Sequence, residues 1–205
     1  YISGLRGGTV NVQSDATLEL LDNAQVGGTI AMHGSLLGSN VVLTENGKLS
    51  LYGNLKAAHV DMKAGSQLVW FTSGSLQSAI VSGDGDAQVV EPALVSMNSG
   101  SVLAFLKETG TNPITVTLNA DVKGHGRIVI GGRHQTPTGE STHAKAYVTI
   151  KGVLQAGDAN SNEEYSGFYL NNLCSLTVGT GDWTKGQDSL DLYGNSYIDE
   201  TGTLT

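Results

Sequence analysis

The sequence predicts an all-β chain of stacked, repeated coils, a parallel β-solenoid, and three observations predict it. Glycine occurs 28 times in 205 residues, proline 3 times, and charged residues make up 15 %. The apolar residues are scattered as Val, Leu, Ile and Ala in short alternating runs, as many brief strands between turns require. Most telling is an eleven-residue pattern that recurs four times without gaps.

The copies are VNVQSDATLEL (10–20), VVLTENGKLSL (41–51), VDMKAGSQLVW (60–70) and VSMNSGSVLAF (95–105). In each, positions one, three, nine and eleven are apolar, and residues such as Asn11, Glu19, Ser50, Asp61 and Ser96 stand between them. Period two over so short a run means two strands, each burying one face. Asp15-Ala16, Asn46-Gly47, Gly65-Ser66 and Gly100-Ser101 occupy the bend, where the backbone needs positive φ or a local side-chain bond. Such a unit cannot cover its own apolar face and must stack on copies of itself.

The copies start at 10, 41, 60 and 95, and the shortest spacing, 19, sets the coil. Longer gaps imply degenerate coils or loop excursions, and GGTIAMHGSLLGS (27–39) reads as one degenerate coil. The chain then makes about eight to ten coils and rises about 40 Å at ~4.8 Å per coil. A shorter echo, LSLYGN (49–54) and LDLYGN (190–195), ties both ends to one template. An antiparallel β-sandwich is the alternative, since short strands with turns between them suit it equally. Repetition favours the solenoid, because sandwich strands occupy unlike environments. LQSAIV, from Leu76, comes nearest to a helix and is too short.

Residues 1–106 read as regular coils and 107–205 as looser coils of the same continuous domain, with excursions at 123–145 and 157–167. In the first excursion Arg127 to Ile130 is strand-like and a Gly, Pro and Thr-rich segment projects beyond it; alternation resumes in AYVTIKGVLQAG.

Net charge is −8 and the pI near 4.9, which repels phosphate backbones and anionic lipid and sets nucleic acid aside as a partner. No run of about 18 apolar residues is present to insert into a bilayer. The chain opens at Tyr1 without initiator Met or leader, the expectation for a mature or excised portion of a longer protein. The single cysteine, Cys174, lies in an apolar alternation and is expected to be a buried, inert thiol.

The runs GGTVNVQSDATLEL, GSNVVLTENGKLSLYGNL and VDMKAGSQLVW resemble the passenger domains of type V autotransporters and related Gram-negative surface adhesins. The resemblance covers Gly7 to about Phe105 well and the remainder in patches. It implies a right-handed parallel β-helix, secretion to the cell surface, anchorage through a region outside these residues, and adhesion or self-association as the role. It carries over no catalytic residue.

Motifs for chemistry are sparse, and the expectation is a protein that is not an enzyme. GQDSL (186–190) only half matches a Gly-Asp-Ser-Leu hydrolase signature, and Ser189 reads as a strand residue. The carboxylate pairs Asp84/Asp86, Glu163/Glu164 and Asp199/Glu200 lie in polar turns with no partner acid. No cofactor is expected beyond a possible calcium ion. Asp158, Asn160 and Asn162 alternate as oxygen ligands do, but Glu163 stands where the loop needs Gly and Tyr169 where it needs Glu.

Lys123, His125, Arg127, Arg133 and His134, followed by His143 and Lys145, form the one basic stretch in an acidic chain. A solvated loop is its plainest reading. Its functional reading is contact with an acidic glycan or with the acidic face of a neighbouring copy, ahead of a transition-metal site at the three histidines. Trp70-Phe71, Tyr165, Tyr169, Trp183 and Tyr197 are candidate sugar-stacking rings, although core positions suit such residues better. The expected partners are further copies of the chain, or a host or matrix ligand such as glycan. A carbohydrate-binding or carbohydrate-active β-helix is the alternative function.

Overall fold

The computed structural model describes residues 2–82, 88–107, 112–131, 133–135, 141–143, 145–157, 167–170, 174–179, 190–192, 197–198 and 203–205. Among them there is no helix, and the body of the molecule consists of parallel strand ladders in three columns. The first column stacks Thr9–Val12, Thr29–Met32, Lys48–Leu51, Gln67–Trp70, Val102–Phe105, Arg127–Ile130, Phe168–Leu170 and Tyr197–Ile198. The second begins in the leading halves of three long strands, Thr17–Val26, Ser35–Leu43 and Leu55–Met62. It continues through Gly74–Ser78, Ile114–Leu118, Ala146–Ile150, Ser175–Val178 and Thr203–Leu204. The third takes the trailing halves of the same long strands, with Ile2–Leu5 at its head. It runs on through Ala93–Met97, Ala120–Gly124, Leu154–Ala156 and Leu190–Leu192.

The chain visits first, second and third columns in turn and then begins again, an arrangement consistent with a β-solenoid. The eight strands of the first column correspond to eight coils. Thr29 pairs with Lys48 and Lys48 with Gln67, so the undisturbed coil is 19 residues long. From Gln67 to its partner Val102 the spacing is 35, and from Ile128 to Phe168 it is 40, because segments leave the coil and return.

Period two sends alternate side chains inward, and register stacks them. Ile30/Met32, Leu49/Leu51, Leu68/Trp70, Leu103/Phe105, Ile128/Ile130 and Phe168/Leu170 form successive buried steps of the first column. Val41/Leu43, Val60/Met62 and Val95/Met97 do the same in the third, and all belong to one apolar cluster. Full burial of each large side chain is worth roughly 1.5–3 kcal/mol. Trp70 and Phe105 stack within the core with ring centroids 5.7 Å apart.

The bend between third and first columns is itself a ladder. Asn46 (φ 66°), Gly65 (φ 74°) and Gly100 (φ 80°) take the same left-handed position on successive coils, as their residue types predict. One residue on, Gly47 has no room for a side chain, since a Cβ would overlap the Val26 carbonyl oxygen. Where the next coils carry serine instead, Ser66 Oγ donates to Lys63 O at 2.6 Å and Ser101 Oγ donates to Asn98 O at 2.7 Å. Both hydroxyls are buried and satisfied.

Several sequence expectations change. The copy at 10–20 spans the bend between first and second columns, whereas the other three span the bend between third and first. Val10 pairs with Ile30, while Val41 pairs with Val60 and Val60 with Val95. Asp15 and Ala16 consequently take no positive φ; Ala16 N donates to Gln13 O at 3.1 Å. The echo LSLYGN begins in the first column and LDLYGN in the third. Among the described residues antiparallel pairing is confined to two hairpins, Val81–Ser82 with Val89–Val90 and Arg133–Gln135 with Ser141–His143. The sandwich alternative gives way for that reason, since its sheets would be antiparallel throughout.

Candidate functional site

The basic stretch does not form one loop. Lys123 sits in the third column, its ammonium 3.0 Å from the Asp121 carboxylate. His125 is exposed at the bend, where its N–H donates to Met97 O at 2.8 Å. Arg127 opens the next strand of the first column, and its Nε is buried without a hydrogen-bond partner. Arg133 and His134 lie in the second hairpin, their backbones paired with His143 and Thr142. The coil thus absorbs 123–131, and the projecting part is the hairpin beyond. Asp158, Asn160 and Asn162 lie outside the described residues, as do the three carboxylate pairs and Ser189. Among the described residues no group of three or more His, Cys, Asp or Glu side chains is placed to hold a metal ion.

Lys123 instead belongs to a polar outer face on the third column. Register aligns Val42, Asp61, Ser96 and Lys123 in one row, and Asn40, His59, Leu94 and Asp121 in the row beside it. His59 Nε2 and Ser96 Oγ lie 2.9 Å apart across the rows. Asp61 is held by Lys63, one residue past the end of its strand, and Asp121 Oδ1 accepts the Val153 N–H at 3.0 Å. Two carboxylates, two ammonium groups, an imidazole and a hydroxyl thus lie on or beside this face as three contacting pairs, each coil adding one residue to each row.

Chemically, a serine beside a histidine is the beginning of a nucleophilic pair. The nearest carboxylate along the ladder, Asp61, is committed to Lys63 instead of orienting the imidazole. The face is therefore better suited to holding polar groups than to activating Ser96. Sequence reasoning missed it: Asp61, Lys63 and Ser96 occupy variable positions of the repeat, but His59, Asp121 and Lys123 lie outside its four copies. The signal was there at coil spacing, but Val60 to Val95 spans 35 residues and hides the period.

The candidate rings divide. Trp70 is buried in the core, while Phe71, the next residue, faces outward. His33, Tyr52 and Phe71 follow the first column on successive coils and stack outside it. Their centroids are 4.0 Å apart for His33 and Tyr52, and 5.4 Å for Tyr52 and Phe71. Lys48 Nζ lies 5.6 Å from the Phe71 ring centroid. Tyr169 is an outward, half-buried residue of the first column; Tyr165 and Trp183 lie outside the described residues.

The first hairpin carries Ile80, Val81, Val89 and Val90, and all are exposed, Val81, Val89 and Val90 by more than half. Cys174 is buried and accepts the Ala146 N–H at 3.3 Å, and burial pushes its thiol pKa up. Comparison with known proteins finds no matching family model, no matching curated protein and no matching solved structure.

Proposed function

We propose that this chain is a secreted, cell-surface structural module: a right-handed parallel β-helix whose corners display segments for adhesion and for association with further copies of itself. No catalytic step or cofactor is part of this reading. Right-handedness is supported by the rule that connections between parallel strands of one sheet are right-handed in about 98 % of cases. Surface location is supported by the resemblance of residues 7 to 105 to autotransporter passenger domains.

The observation that carries self-association is the first hairpin. A two-stranded antiparallel ladder is marginal alone, and this one exposes Val81, Val89 and Val90 where a solvated loop would be polar. Its outer edges offer unpaired backbone to an added strand, and the same hairpin in a second copy supplies a strand of matching apolar character. Sedimentation velocity over a wide concentration range tests this. The wild type is expected to associate, and the Val81→Lys, Val90→Lys double variant to stay monomeric with unchanged circular dichroism. A wild type that remains monomeric at every concentration overturns the self-association reading.

The carbohydrate-active alternative has one observation in its favour, the His59–Ser96 pair. Polysaccharide cleavage by the wild type that is lost in Ser96→Ala would establish it in place of the structural reading.

A further inference from the structure

The ring stack outside the first column ends at a groove, and we propose that this groove binds an acidic sugar unit of a polysaccharide, with the Phe71 ring as its stacking floor. The inference names a ligand for the adhesive reading and does not depend on the hairpin.

Three observations carry it. First, the stack is outside the core. Trp70 and Phe105 already form a buried stack one residue away. His33, Tyr52 and Phe71 repeat the motif on the surface, with interplanar angles of 15° and 25°. On the next coil the position after Phe105 is Leu106, so the run of rings stops at Phe71.

Second, an open groove of about 480 Å³ lies there, lined by Tyr52, Phe71, Thr72, Ser73, Lys107, Asn112 and Ile114. That volume falls in the ~300–1,000 Å³ range of small-ligand clefts. Ser73 Oγ is taken up by the Thr115 N–H at 2.9 Å. Thr72 and Asn112 are exposed side chains at the groove and bring a hydroxyl and an amide to it.

Third, the charge of the described lining residues is of one sign. Lys107 lines the groove, Lys48 lies over the Phe71 ring, and no described lining residue is a carboxylate. This occurs in a chain of net charge −8. A pyranose has an apolar face of C–H bonds that packs on an aromatic ring, and hydroxyls at its rim that bond to amide and hydroxyl groups. A carboxylate on that ring would meet the Lys107 ammonium, with Lys48 beside the Phe71 ring adding to the positive potential. An acidic peptide with an aromatic side chain fits less well. Its backbone needs a strand edge or main-chain partners, whereas the polar groups that Thr72, Lys107 and Asn112 bring to the groove are side chains.

The test is calorimetric titration of the whole chain with tetragalacturonate and, separately, with its methyl ester, which removes the charges and adds a methyl group to each carboxyl. The acid is expected to bind with a millimolar or tighter Kd, and the ester about 5-fold or more weaker. Phe71→Ala is expected to weaken the acid about 10-fold, and Lys107→Met to weaken it about 3-fold and flatten its salt dependence. If Phe71→Ala loses its circular dichroism, Lys107→Met and Asn112→Ala decide the matter. Equal affinity for acid and ester, no saturable binding, or unchanged affinity in these variants overturns the proposal. So does preferential binding of an acidic tyrosine-containing peptide at the same residues. The hairpin double variant is expected to titrate like the wild type, so failure here and failure of self-association are separately visible.

Discussion

A single backbone position recurs at three successive bends between the third and first columns. Asn46, Gly65 and Gly100 share a left-handed conformation, which costs a residue with a side chain roughly 1–2 kcal/mol and glycine nothing. A Cβ on Gly100 would meet nothing closer than Gly65 N at 3.6 Å, so only the conformational term is at stake. Gly100→Ala is therefore expected to lower unfolding free energy by about 1–2 kcal/mol in urea titrations. Asn46→Gly is expected to change it little, because asparagine tolerates this region. Cys174 provides a second residue-scale expectation. Burial raises its thiol pKa in the folded state, so its contribution to stability is fully present below the unfolded thiol pKa. It is lost as pH rises through the range above about 8.5. The wild type is expected to lose stability there more steeply than Cys174→Ala, and the native thiol to resist alkylation until the chain unfolds.

At the scale of the strand, neighbouring residues have opposite fates. Trp70 points into the core, where its Nε1 donates to Gly53 O at 3.1 Å and its ring stacks on Phe105. Phe71 points out. Trp70→Ala is expected to cost about 3–5 kcal/mol by cavity formation. Phe71→Ala should cost about 1 kcal/mol, the worth of a surface ring stack. Equal losses in thermal or urea unfolding would mean that the alternation is misassigned. The inward positions were legible, because period two is written in the residues themselves: Leu68 and Trp70 in, Gln67 out. That Val69 between them is buried too was not. Which bend each copy forms was not. VNVQSDATLEL and VVLTENGKLSL share one pattern because both bends join two short strands, and only pairing partners tell them apart. The polar face and the ring stack were harder still. Each member lies one or two coils from the next, so His59 and Ser96 become neighbours only once the inserted hairpin is recognised as an insertion.

The whole molecule is held by nearest-neighbour contacts between coils, so its stability is nearly a sum over coils. That makes a coil removable. Lys48 pairs with Gln67, Leu49 with Leu68 and Leu51 with Trp70, and Gly47 N–H and Ser66 N–H each close a bend on the preceding Thr44 or Lys63 carbonyl. Joining Gly47 directly to Gln67 deletes residues 48–66, one complete 19-residue coil, and returns every strand to its own column. His33 would then adjoin Phe71 outside the core, and Gly34 would take the place of Gly53 near the Trp70 indole. The deletion is expected to fold, to keep its β-type circular dichroism and to unfold cooperatively at a modestly lower temperature. Deleting residues 48–57, about half a coil, shifts all later strands to the wrong column and sends inward residues outward, so it is expected not to fold. In a sandwich neither deletion would be tolerated, because each strand there has a unique partner. If the 48–66 deletion loses its cooperative transition while the intact chain keeps it, the coils are not interchangeable units and the repeat is one of sequence alone.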